Sequence, residues 1–160
     1  MDTLARTMYR PFKLLPDERA WELLKNAEYC VLCTTGEDGW PYGFPVSTVL
    51  RGGSFFFHCA MHDGHKLDNF AVDSRACLTA VECIENDSSS YHYESAIAFG
   101  RMRRVVDPNE RADIFEAVMV RWDPLSNDGS QEKSYPKTDV WAFDVEKVTA
   151  KWVNHRHRQA

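Results

Sequence analysis

The chain has 160 residues, 44% of them hydrophobic and 27% charged, with a formal net charge of −5 at pH 7. This is the length and composition of one ordinary globular domain, here expected to span residues 1–160. The acidic balance argues against a nucleic-acid partner, which selects for a basic surplus, and no apolar stretch approaches the length of a membrane span.

The first residues, Met1-Asp2-Thr3-Leu4-Ala5-Arg6, lack a basic region followed by an apolar one, so no secretory signal and a cytoplasmic location are expected. Pro16-Asp17 opens a helix in which Ala20, Leu24 and Ala27 share one face. Tyr29 to Thr35 reads as a strand, Gly36-Glu37-Asp38-Gly39 as a turn, and Tyr42 to Leu50 as a second strand. Pro41 and Pro45 ask for an edge or irregular place for its first half. Arg51-Gly52-Gly53 is a tight hairpin turn leading into a third strand, Ser54 to Ala60. Lys66 to Val72 is a short helix, Ala76 to Ile84 a fourth strand, and Glu85 to Ser90 a polar turn. A long strand follows from Tyr91 to Val106. Pro108 then opens a helix striped by Ile114, Phe115, Val118, Met119 and Trp122. Asp123 to Lys137 reads as a loop and Val140 to Trp152 as the last strand. The sum is α+β, mainly β, on an antiparallel sheet. Tyr29, Val31 and Cys33 alternate with Cys30 and Leu32, so both strand faces are apolar. A closed barrel, or a sheet covered by helices or by a second subunit, is expected.

The run Phe55-Phe56-Phe57-His58-Cys59-Ala60 stops at a polar knot, Met61-His62-Asp63-Gly64-His65-Lys66, where a helix begins. A strand feeding a helix through a glycine turn leaves the first helical N–H groups unpaired, and with a lysine beside them they form an anion site. Phosphate is the biological anion that such a site suits best. No metal site is expected, because His58 and Cys59 are adjacent in a strand and point to opposite faces. Five cysteines, Cys30, Cys33, Cys59, Cys77 and Cys83, are odd in number and scattered through apolar segments, which favours reduced thiols. Cys30 and Cys33 match C-x-x-C, but in a strand they face apart and do not meet. Ser47 and Thr48 can bond either neighbouring backbone or a ligand, and the cluster Tyr91-His92-Tyr93-Glu94-Ser95 reads as either a solvated strand end or a ligand contact. There is no G-x-S-x-G elbow and no G-x-G-x-x-G turn, so neither a serine hydrolase nor a Rossmann site is expected.

Four blocks, in order, resemble those of one family. They are Gly36-Glu37-Asp38-Gly39-Trp40-Pro41-Tyr42-Gly43-Phe44-Pro45-Val46-Ser47, then Phe57-His58-Cys59-Ala60 with Gly64-His65-Lys66-Leu67-Asp68-Asn69, then Tyr93-Glu94-Ser95-Ala96-Ile97-Ala98-Phe99-Gly100-Arg101, and finally Val148-Thr149-Ala150-Lys151. The family is that of the pyridoxamine 5′-phosphate oxidase-like FMN-binding split barrels, in the branch of the Nim 5-nitroimidazole resistance proteins. The resemblance covers Leu15 to Lys151. It implies a six-stranded antiparallel split β-barrel with flanking helices, forming a homodimer with FMN in a cleft between subunits. By position, Val46, Ser47 and Thr48 would line the flavin, His58, Cys59 and Ala60 would flank its ring and ribityl chain, and His65 and Lys66 would hold its phosphate. Ser95 would approach from its own strand and Trp152 would wall the ring. The implied function is an oxidoreductase passing electrons from a donor such as NADH or NADPH to a small acceptor, a nitro-aromatic among the candidates, with His58 as the catalytic proton donor. The alternative is a non-catalytic flavin- or haem-binding module on the same barrel. Met61-His62-Asp63 is one residue longer than the family's turn, and Ala150 stands where glycine is usual. The chain also ends soon after Trp152, without the C-terminal substrate segment of true pyridoxamine phosphate oxidases, so that enzyme is not expected.

Overall fold

Among the described residues, eight antiparallel strands and three helices alternate in the order β1 (Leu14–Leu15), α1 (Asp17–Asn26), β2 (Cys30–Thr35), β3 (Pro41–Val46), β4 (Val49–Arg51), β5 (Ser54–Ala60), α2 (His65–Val72), β6 (Arg75–Asn86), β7 (Ser90–Arg104), α3 (Pro108–Trp122) and β8 (Thr138–Arg156). This computed structural model describes residues 3–62, 64–86, 90–122, 133 and 135–156. The loop expected over Asp123–Lys137 therefore lies mostly outside the described residues, and its end, Tyr135–Lys137, is one 3₁₀ turn. No helix among the described residues is long and apolar enough to cross a membrane.

The sheet runs β3-β2-β6-β7-β8-β5-β4, with β1 added to β8. Its two edges, β3 and β4, are neighbours in sequence, joined only by Ser47 and Thr48. Three peptide steps bring the edges within about 11 Å of one another, which curls the sheet into a split barrel. The strand count corrects the expected six. The segment read as one strand, Tyr42 to Leu50, is broken at Ser47-Thr48 so that Val46 pairs with Cys30 on β2 while Val49 pairs with Phe56 on β5. The two-residue β1 supplies the other addition, pairing Leu14 with Lys151 and Leu15 with Ala150. Pro41 and Pro45 fall on β3, an edge strand where a missing N–H breaks no ladder.

Burial alternates as the strand period requires. Phe55 and Phe57 enter the barrel core with Leu32, Phe44 and Phe143. Phe56 faces the other way, onto Ile114, Phe115, Val118 and Met119 of α3. That double covering explains the unbroken apolar run at the start of β5. On β8, Trp141, Phe143 and Val145 belong to the barrel core, and so do Val148 and Ala150. The parity changes because the β7–β8 register shifts between Phe99 and Gly100, leaving Glu146 as the extra residue of a bulge. The bulge drives the Asp144 carbonyl oxygen to 2.1 Å from where a Cβ on Gly100 would sit, so only glycine fits there.

The helix ends obey their sequence signals. Pro16 precedes α1, with Asp17 and Glu18 in its first turn. Asp107 caps α3, its Oδ1 accepting from the amides of Asn109 (3.0 Å) and Glu110 (2.9 Å). Arg19 ties α1 to the sheet, donating to Glu94 at 2.6 Å and Glu82 at 2.7 Å. Glu94, read with its neighbours as open to solvent or a ligand, thus serves a structural pair.

Candidate functional site

β5 ends at Ala60, and Met61 prolongs the ladder by donating its amide to Lys137 O at 3.1 Å. The chain then turns through Gly64, whose carbonyl accepts from Leu67 (2.7 Å) and Asp68 (3.2 Å) to start α2. The N-cap, Gly64, has no side chain to cap this end. The amides of His65 and Lys66 come before the first bonded amide of the helix, Leu67, and so have no intrahelical acceptor. Asp63, the last residue of the expected extra-residue turn Met61-His62-Asp63, lies outside the described residues.

Three elements converge on this corner. From β3, the Tyr42 ring stacks on His65 with centroids 4.0 Å apart, and the Phe44 ring lies 5.8 Å from Lys66 Nζ. From α2, Phe70 packs against Phe44 (6.3 Å), Phe57 (6.5 Å) and Trp141 (4.7 Å). Asn69, 2% exposed, donates to Thr34 Oγ1 at 3.0 Å and so fixes the helix to β2. From β5, His58 points outward, edge-on to Phe115 of α3 at 6.1 Å, while Cys59 points inward and is buried. The opposite facing of these neighbours agrees with the strand period. Among the described residues, no three His, Cys, Asp or Glu side chains gather where they could hold a metal.

The electrostatics centre on Lys66, which forms no ion pair among the described residues. Packing against α3 pushes the His58 imidazole below its ordinary pKa, and the Lys66 ammonium pushes it further the same way. Burial pushes the Cys59 thiol up, opposed by Lys66 and Arg104 and reinforced by Asp139. Asp139 is itself buried and accepts from Arg104 at 2.7 Å. The corner is therefore positive, partly enclosed and open on the His58 and Ala60 side.

The sequence candidates distribute unevenly around it. His58, Cys59, Ala60, His65 and Lys66 gather at the corner. Val46 ends β3 inside the core; Ser47 is exposed and Thr48 buried in the link between the edges. Both hydroxyl residues lie outside a strand, contrary to expectation, because the chain leaves one ladder for another there. The Thr48 carbonyl accepts instead from Trp122 Nε1 at 3.2 Å. Ser95 and Trp152 stand apart. His58 is in register with Val140 of β8, whereas Ser95 pairs with Lys151 and Trp152 with Glu94. Along β8, Lys151 lies eleven residues and Trp152 twelve from Val140, about 35–40 Å of strand path. Ser95 is on the outer face, while the Trp152 ring is covered by Lys13 Nζ at 5.1 Å.

Tyr42, Phe44 and Trp141 are site residues that the sequence reading did not single out. The alternation Tyr42, Phe44, Val46 on one face of β3 was the available signal. Among the described residues, Trp141 Nε1 is buried without a hydrogen-bond partner, as is His92 Nε2 on β7. At the closing block, the Ala150 methyl is buried opposite Ala96 and Leu15, so small neighbours accommodate the substituted glycine.

A family model described as pyridoxamine 5′-phosphate oxidase matches residues 16–152. No curated protein matches the sequence. Several solved structures share the fold. A candidate 5-nitroimidazole antibiotic resistance protein from Bacteroides thetaiotaomicron is similar with a TM-score of 0.76 at 19% identity, over 91% of this chain and 90% of that one. A FAD-binding protein from Mesorhizobium loti gives 0.70 at 14% identity, over 88% and 97%. The FAD and heme binding protein from Mycobacterium smegmatis gives 0.66 at 21% identity, over 87% and 72%.

Proposed function

Since this chain belongs to the pyridoxamine 5′-phosphate oxidase family, we propose that it is a cytoplasmic homodimer that binds FMN and carries electrons from NADH or NADPH to a small acceptor such as a nitro-aromatic. The observation that supports this reading best is the Lys66 ammonium, unpaired among the described residues, beside the His65 ring and the open amides of α2. Those donors fit a phosphate dianion, in charge and in hydrogen-bonding capacity. Ser47 and Ala60, small and exposed, leave room for a flat ring against the strand ends.

When bound, FMN supplies the redox chemistry. The chain's part is to hold and to manage protons. His65 and Lys66 grip the phosphate; Val46, Ser47 and Thr48 offer backbone groups along the flavin; Cys59 and Ala60 flank it. His58 is the proton donor: its imidazole can take up and release a proton there, and the lowered pKa makes the protonated ring a stronger acid than free imidazole.

The homodimer accounts for Ser95 and Trp152. Their distance along β8 from the His58 corner suits delivery to a second copy's site. The outer face carrying Ser95 leaves Val81 65% exposed and Ile97 37% exposed, apolar area that a second subunit would cover.

The test is a titration of the purified protein with FMN and, in parallel, FAD. Saturable quenching of FMN fluorescence is expected, with reduction by NADH or NADPH and reoxidation by a nitroimidazole. Failure to bind either flavin overturns the cofactor assignment, and a Soret band would assign haem instead. A flavin that binds without being reduced would reassign the protein as a binding module.

A further inference from the structure

Cys33, set aside at the sequence level as half of a C-x-x-C that cannot close, has a different neighbour in the fold. β2 meets β6 only through Val31–Thr79, Leu32–Leu78 and Cys33–Cys77, so the two cysteines face each other at the last rung of a short ladder. Both are half-buried thiols on the outer side of the sheet. Directly opposed residues of antiparallel strands have Cα atoms about 4.5–5.5 Å apart. Disulfides accept roughly 4.4–6.8 Å, so the backbone is already at bridging distance. The two thiols are close enough for Cys33 to act directly on the ionisation of Cys77. Gly43, on the other side of β2, has no Cβ to crowd Cys33 Sγ, which is 3.3 Å from where one would sit. The pair lies in the floor of a surface groove of about 670 Å³ walled by Thr3, Leu4 and Arg75, wide enough for a small oxidant.

We propose that Cys33 and Cys77 are a redox modification site, closing reversibly to a disulfide that staples β2 to β6. With hydrogen peroxide as oxidant, the two S–H bonds break and one S–S bond forms. The thiols lose two electrons and two protons, and the peroxide O–O bond is reduced to give two waters. A dithiol reductant reverses the reaction by exchange. Beyond the last rung β2 and β6 diverge, so the strand ends can adjust to disulfide geometry without breaking an interior pair. Burial and the contact with Cys33 push the Cys77 thiol up to about 11, which keeps that thiol protonated at neutral pH and makes closure faster as pH rises.

The experiment treats the full-length protein with hydrogen peroxide, counts free thiols after denaturation, and maps linked peptides by non-reducing digestion with tandem mass spectrometry. The expected result is a loss of two thiols, a Cys33–Cys77 linkage, and a raised melting temperature that dithiothreitol restores to its starting value. Cys33→Ser and Cys77→Ser should each abolish the linkage. Two measurements on the unaltered protein stand even if a variant misfolds. One is the linkage itself, and the other is mutual protection of Cys33 and Cys77 from alkylation after oxidation. Oxidation confined to the exposed Cys83, a linkage to any other cysteine, or both thiols remaining alkylatable would overturn the proposal.

Discussion

Lys66 sets the chemistry of the corner through its charge, and its effect reaches residues it does not touch. It depresses His58 together with burial, and it opposes burial at Cys59. Replacing it by methionine keeps the stem on Phe44 and removes the charge. In Lys66→Met the His58 midpoint is expected to rise towards the free value without reaching it, because burial is the larger cause; NMR titration of the imidazole reads this directly. An unchanged midpoint would show that the ammonium lies too far away or is screened. Loss of a charge-assisted contact of about 1.5–3 kcal/mol should weaken FMN binding roughly ten- to a hundredfold. The linkage has a definite sign. A histidine whose folded pKa lies below its unfolded value of about 6.5 contributes stability that is present above that pH. The contribution is lost as pH falls through the folded value. Urea midpoints should therefore drop on acidification below about 6.5, less steeply in His58→Gln.

At the scale of elements, α2 is placed by one buried side chain and one missing one. Asn69 bonds Thr34, and its Oδ1 lies 2.6 Å from where a Cβ on Gly36 would be. Asn69 is buried and short, so it cannot swing aside. Gly36→Ala is expected to push α2 off the β2–β3 turn and cost about 1–3 kcal/mol, read as a lower urea midpoint. FMN affinity should fall with it, since His65 and Lys66 move with the helix. A variant with the parent's midpoint and affinity would sink this account of how the helix is held. The turn that Gly36 opens and the hairpin at Gly52 and Gly53, with φ of 57° and 84°, were readable from glycine placement. The contact of Gly36 with Asn69 was not, because it joins residues 33 apart through the third dimension.

At the scale of the whole molecule, the proposed dimer makes the distribution of candidates intelligible. One copy alone separates Ser95 and Trp152 from the His58 corner by eleven and twelve residues of β8. Val81→Glu combined with Ile97→Glu places charge on the exposed outer face next to Ser95 and faces no buried neighbour. Sedimentation should give a dimer for the parent protein and a monomer for the double variant, with flavin binding lost along with assembly. A parent protein that is monomeric and still binds FMN would remove the role assigned to the second copy.

Local chemistry was enough for a great deal of this protein. Period-two alternation, paired turn glycines, prolines at strand and helix starts, and the apolar stripe of α3 determined nearly every element. The strand-to-helix corner carrying His65 and Lys66 was legible for the same reason, since all its parts are contiguous in sequence. Tertiary structure alone decided what depends on register and curvature. It split one expected strand at Ser47-Thr48, because closing the barrel takes the chain from β2's ladder to β5's. It inserted Glu146 as a bulge, so that both halves of β8 face the core. It also set Cys33 against Cys77 rather than Cys30. Periodicity tells which face a residue takes, but not which strand lies beside it; that choice is made by long-range pairing, to which a local pattern is blind.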